Sequence, residues 1–149
     1  MSGGQQELQA LSAHLQELSE QIELMQASVE AVRDEKEAVN EAIEAIETLE
    51  TDSVVQVPLG GGAYIRTSIE DIEEVVVELG ADYAGEFERE TAVSVLENKN
   101  ERLDDRIDEI TERIADLERE QGDLEGRAQQ LQQQALQQQL QGMGGADDQ

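Results

Sequence analysis

Cysteine is absent from this 149-residue chain, and so is tryptophan. The first absence excludes disulfides, thiolate zinc sites and thiol catalysis. Aromatic residues make up 2%, represented by Tyr64, Tyr83 and Phe87. Large rings bury the most apolar area per residue, so a chain nearly without them builds a thin seam or a small sheet rather than a thick core. A single histidine, His14, cannot supply a His-pair metal site. No apolar run approaches the roughly 18–20 residues that span a bilayer. No basic segment leads into an apolar one as in a secretory signal, and Met1-Ser2 lacks the glycine that myristoylation needs. The expectation is a cytoplasmic protein without a membrane partner.

Positive charge is scarce too. Asp and Glu number 36 against 10 Lys and Arg, for a formal charge of −26, and the lysines are Lys36 and Lys99. Like charge at this density opposes compaction and assembly at low ionic strength. At about 1 M salt the Debye length falls to about 3 Å and the repulsion is screened, which points to a halophilic host. Direct nucleic-acid binding is disfavoured, because phosphates call for clustered Lys and Arg.

What the chain has is periodicity. Leu8, Leu11, Leu15, Leu18, Ile22, Met25, Val29, Val32, Lys36, Val39, Ile43 and Ile46 follow a 3–4 spacing, apolar at every slot except Lys36. The pattern stops at Thr51-Asp52-Ser53, which favour turns. It resumes through Val93, Leu96, Asn100, Leu103, Ile107, Ile110, Ile114, Leu117, Gln121, Leu124, Ala128, Leu131 and Ala135. A sustained period of 3.5 specifies a left-handed coiled coil. Two such stretches of about 40 residues, roughly 60 Å each at 1.5 Å per residue, pair as an antiparallel hairpin. Polar Lys36, Asn100 and Gln121 in the seam sacrifice stability to fix register or partner. Gly122 and Gly126, each costing about 1 kcal/mol against Ala, loosen the second helix.

Between the helices the composition changes. Val54-Val55-Gln56-Val57-Pro58-Leu59, a Gly60-Gly61-Gly62 turn and Ala63-Tyr64-Ile65-Arg66-Thr67 read as one β-hairpin. Val75-Val76-Val77-Glu78-Leu79, Gly80-Ala81-Asp82 and Tyr83-Ala84-Gly85-Glu86-Phe87 read as a second. Two hairpins alone are marginal and leave unpaired edges, so they call for strands from other subunits. The fold class is therefore mainly α: a long antiparallel two-helix coiled coil with two inserted β-hairpins. The expected division of this single domain is a first helix over 8–49, an assembly region over 54–87, a second helix over 88–141 and a disordered tail over 142–149.

Catalytic motifs are missing. The triple glycine is followed by Ala63-Tyr64-Ile65 rather than the Gly-Lys-Ser/Thr of a phosphate loop. The carboxylates fall on solvated helix faces rather than converging in a pocket that would shift their pKa values. No enzyme, metal or cofactor is expected. Leu8, Leu11 and Leu15 near the start of one helix meet Leu131, Leu136, Leu140 and Met143 near the end of the other. Exposed apolar positions there suit weak, promiscuous binding of apolar chains.

The helix, two-hairpin, helix order, with the insert running from Val54 to Ile65 and again from Val75 to Tyr83, resembles the α-type subunits of archaeal prefoldin, and the acidity resembles a haloarchaeal member. The resemblance implies a heterohexamer of two α and four prefoldin β subunits, the β type carrying one hairpin. The hairpins would form a β-barrel through Val54, Val55, Val57, Leu59, Tyr64, Ile65, Val75, Val77, Leu79, Tyr83 and Phe87. It also implies an ATP-independent chaperone that holds unfolded clients at the helix tips and passes them to a group II chaperonin. A coiled-coil adaptor or tether for folded partners is the alternative.

Overall fold

The computed structural model describes residues 3–147, with the side chains of residues 3–142. The element order is α1 (Gly3–Thr48), β1 (Val54–Gly60), β2 (Ala63–Ser68), β3 (Val75–Gly80), β4 (Tyr83–Phe87) and α2 (Arg89–Asp147). Both helices run past their expected outer ends, while their inner ends, Thr48 and Arg89, lie one residue inside the expected 49 and 88. α1 begins at Gly3 rather than Leu8, since Gln5, Gln6 and Glu7 are sound helix formers. α2 continues to Asp147. No proline stops the helix there, and glycine raises its cost without forbidding it.

The chain divides into two compact units. The first holds residues 3–30 of α1 and 108–147 of α2; the second holds residues 31–107. In the first unit the helices pair antiparallel, with Leu18, Ile22 and Leu117 buried and Met25, Ile114 and Leu124 packed around them. Burying a Leu or Ile side chain fully is worth about 1.5–3 kcal/mol, so this seam is the main source of the unit's stability. His14 Nε2 faces Glu120 Oε1 at 3.7 Å across the pair.

In the second unit α1 and α2 again run antiparallel. Val32, Val39, Leu96 and Leu103 fill the seam. Its polar slots are partnered across the helices. Lys36 Nζ donates to Asp104 Oδ1 at 2.6 Å, and Asn100 Nδ2 donates to Asn40 Oδ1 at 2.5 Å. Lys99 Nζ lies 3.6 Å from Glu35 Oε1, so both lysines of the chain face a carboxylate on the opposite helix. Asn100 Oδ1 is buried without a partner, which makes this slot costly.

α1 ends at Thr48, and four residues on Asp52 turns into the left-handed region, at φ 72°. Asp52 N–H donates to Ile69 O and Ile69 N–H to Ser53 O, both at 2.8 Å, closing the base of the first hairpin. Each hairpin is a separate two-stranded antiparallel sheet. In the first, Val55 lies opposite Thr67 and Val57 opposite Ile65; in the second, Val75 lies opposite Phe87 and Val77 opposite Gly85. Both follow one plan: Val-x-Val-x-Leu-Gly, with a register shift at the leucine, Leu59 or Leu79. Two-residue turns follow, with positive φ at Gly61 and Gly62, and at Ala81 and Asp82. Such turns match the twist of the flanking strands.

Candidate functional site: hairpin faces and coil end

A side chain that periodicity does not reveal ties the inner ends of the two helices to the loop between the hairpins. Arg89 opens α2, and its backbone N–H donates to Glu73 Oε2 at 3.2 Å, giving the helix an acidic cap from the loop between the hairpins. Its guanidinium reaches back to α1: Nη2 donates to Leu49 O at 2.5 Å, while Nη1 and Nη2 approach the Glu50 carboxylate at 3.4 and 3.3 Å. An arginine at the end of one helix thus satisfies carbonyl and carboxylate groups at the end of another. In the loop between the hairpins, Asp71 Oδ1 accepts from Glu73 N–H at 3.0 Å. That turn places the Glu73 carboxylate beside Arg89.

From this base the hairpins expose apolar side chains. Val54, Val57, Leu59, Tyr64, Ile65, Leu79 and Tyr83 are all exposed, Tyr83 at 73%. Val55, Val75 and Phe87 are half-buried. The two hairpins differ at one matched position: Val57 is 42% exposed, whereas its counterpart Val77 is 6% exposed. Beside Val77 lies a groove of about 310 Å³ lined by Ala38, Val39 and Ala42 of α1, Leu96 of α2 and Val75 of β3. A bare two-stranded sheet with this much apolar surface and open edges is an association surface. Val76, 69% exposed, belongs to it as well. It sits on the opposite face from Val75 and Val77, which is why reading the alternating face alone passed over it.

The helix residues singled out from sequence separate into two groups. Leu11 is buried, and Leu8, Leu15 and Leu131 are half-buried, as seam positions should be. Leu136 and Leu140 lie off the seam and are 58% and 60% exposed. Met143 lies outside the residues whose side chains are described. Leu8, Leu15 and Ala128 floor a groove of about 490 Å³ at this end of the first unit. Arg127 Nη2 meets Glu7 Oε1 there at 3.2 Å.

Among the described residues no group of three or more His, Cys, Asp or Glu could hold a metal ion, and no helix is long and apolar enough to cross a membrane.

Known proteins share this arrangement. The family described as prefoldin subunit matches residues 18–134. The prefoldin subunit alpha of Halorubrum lacusprofundi is 54% identical over 108 residues, covering 72% of this chain and 71% of that protein. The protein of the same name from Halobacterium salinarum is 56% identical over 106 residues, covering 71% and 69%. Among solved structures, the filamentous PFD of Methanocaldococcus jannaschii, determined by cryo-EM, aligns with a TM-score of 0.54 at 24% identity, over 81% of this chain and 97% of that one. Two helices joined through two hairpins, matched by the family over most of their length and by haloarchaeal alpha subunits at more than half of the aligned positions, place this chain in the prefoldin family.

Proposed function

We propose that the chain works as the α-type subunit of a prefoldin chaperone, holding unfolded polypeptides without catalysing a reaction. The observation that carries this is the pair of open two-stranded sheets with apolar side chains facing solvent in the single chain. They are incomplete alone and complete once strands from other subunits are added. In this reading the hairpins join prefoldin β subunits, as two α and four β, and their strands close into a barrel. The helix ends carry clients on Leu8, Leu11, Leu15, Leu131, Leu136, Leu140 and Met143. Each contact is weak, and several ends on one client supply affinity through avidity. No nucleotide takes part, the setting is the cytoplasm, and the held chain passes to a group II chaperonin.

The test is aggregation suppression in molar salt without nucleotide. This chain, purified together with a β-type subunit of the same host, is mixed with an unrelated denatured protein. Protection at near-stoichiometric complex is the expected result. An intact complex that protects nothing would reject the holdase reading and favour a tether for folded partners.

A further inference from the structure

The first unit changes chemistry abruptly along α2. From Glu101 to Arg127 charged side chains crowd the helix; from Ala128 to Ala146 there is no Asp, Glu, Lys or Arg. On α1 the stretch from Gly3 to Gln16 carries one carboxylate, Glu7, and Arg127 pairs with it at 3.2 Å. In a chain of net charge −26, the two helix segments that come together at this end carry almost none of it.

The uncharged segment has two apolar features. On its inner side Leu8, Leu15 and Ala128 floor a groove edged by Gln5, Gln9 and Ser12. On its outer side Leu136 and Leu140, one helical turn apart, stand exposed among Gln133, Gln137 and Gln139, which are exposed as well. Elsewhere the outward faces of these helices carry carboxylates. Here they carry glutamine, which has nearly the shape of glutamate but presents a donor and an acceptor instead of a charge.

A carboxylate brought against an apolar chain loses hydration, and one brought against another carboxylate adds repulsion. Even at about 1 M salt, screening over about 3 Å does not remove that repulsion at contact. A basic polypeptide is drawn to the acidic coil whatever its end carries. A neutral apolar chain is spared the desolvation alone, whereas a net-negative chain is spared both desolvation and repulsion, so it benefits most when the contact zone is cleared of charge. Building on the reading of the helix ends as the client site, we propose that Ala128–Gln141, with residues 3–16, is a contact surface nearly free of charge, its one carboxylate, Glu7, being paired with Arg127. Its occupant is an unfolded polypeptide that is itself acidic and carries apolar side chains.

The experiment uses the assembled complex with its β-type partner and the full chain. Two denatured polypeptides, matched in length and apolar content, serve as probes, one net acidic and one net basic. The variants are Q133E/Q137E/Q139E and Q133K/Q137K/Q139K, with helicity at 222 nm confirming that both stay folded. At the lowest salt that keeps the complex assembled, the Glu variant should need about fivefold more complex to half-suppress aggregation of the acidic probe, three surface charges each acting weakly. The basic probe should be held as well as before or better, and the Lys variant should move the acidic probe the other way. In molar salt the differences should shrink. Equal effects on both probes, or none, overturn the proposal while leaving the holdase reading intact. Smaller assemblies in the Glu variant would make this surface a contact between copies and overturn it too. A wild-type complex that protects neither probe removes the holdase reading, and the proposal with it.

Discussion

Arg89 ties the end of α1 to the start of α2 through its guanidinium. Arg89→Ala removes the hydrogen bond to Leu49 O and leaves the Glu50 and Glu73 carboxylates without their cation. The expected loss is about 1–3 kcal/mol, read as a lower thermal midpoint by circular dichroism in molar salt. Ala81 predicts the opposite sign. At φ 51° it occupies a conformation that costs an L residue with a Cβ about 1–2 kcal/mol, part of which glycine recovers. Ala81→Gly should raise the midpoint, and a lower one would mean that added freedom in the unfolded chain outweighs the relieved strain. Asn100 sits between these cases. Replacing it with Leu removes a buried unsatisfied oxygen, so the coil should gain stability while losing a device that fixes its register. Arg89 could not have been read from the sequence. Its partners lie 40, 39 and 16 positions away, and no periodic pattern links them. The half-buried Lys36 and Asn100, by contrast, were legible as seam exceptions, although their partners Asp104 and Asn40 were not.

At the scale of elements, the helices and hairpins were legible because each rests on a local rule. The 3–4 spacing from Leu8 to Ile46 gives the seam of α1, and alternation at Val75, Val77 and Leu79 gives β3. Helix ends were less legible. The Gln-rich run before Gly142 contains neither a proline nor a capping signal, so a reading based on periodicity stops where the leucines do. The register shifts at Leu59 and Leu79 were also hidden, because a bulge depends on pairing rather than on composition. Gly122 and Gly126 carry a prediction at this scale. Nothing lies within 4 Å of where their side chains would be, so Gly→Ala at both should fit without clash. The pair should stabilise α2 by about 1–2 kcal/mol, seen as slower amide exchange between residues 118 and 130. Unchanged exchange would mean that the segment is already held by packing rather than weakened by its glycines.

For the whole molecule, charge sets the conditions of assembly. With a net charge of −26 and only 10 basic residues, lowering the salt to about 0.1 M extends repulsion to about 10 Å. The complex should then loosen, giving a smaller hydrodynamic radius by light scattering or lost helicity. Full assembly at low salt would reject the halophilic reading of the charge while leaving the fold untouched. Removing residues 1–11 and 132–149 should leave assembly intact but weaken client protection. Undiminished protection would move the client site elsewhere.

The two hairpins share one plan, Val-x-Val-x-Leu-Gly with a bulge at the leucine, and each leaves its strand edges open. In the language of polymer chemistry this makes the chain a bifunctional monomer. Bifunctional units joined head to tail either close into a ring or grow without limit, depending on the angle between successive links. In the proposed complex, a partner offering a single hairpin would act as a chain stopper. Short of that partner, the closed barrel would give way to assemblies whose length is a matter of stoichiometry, as in a step-growth polymerisation. Adding this chain in excess over its single-hairpin partner should lengthen the particles, and restoring the partner should shorten them again, a shift that scattering can follow in one titration.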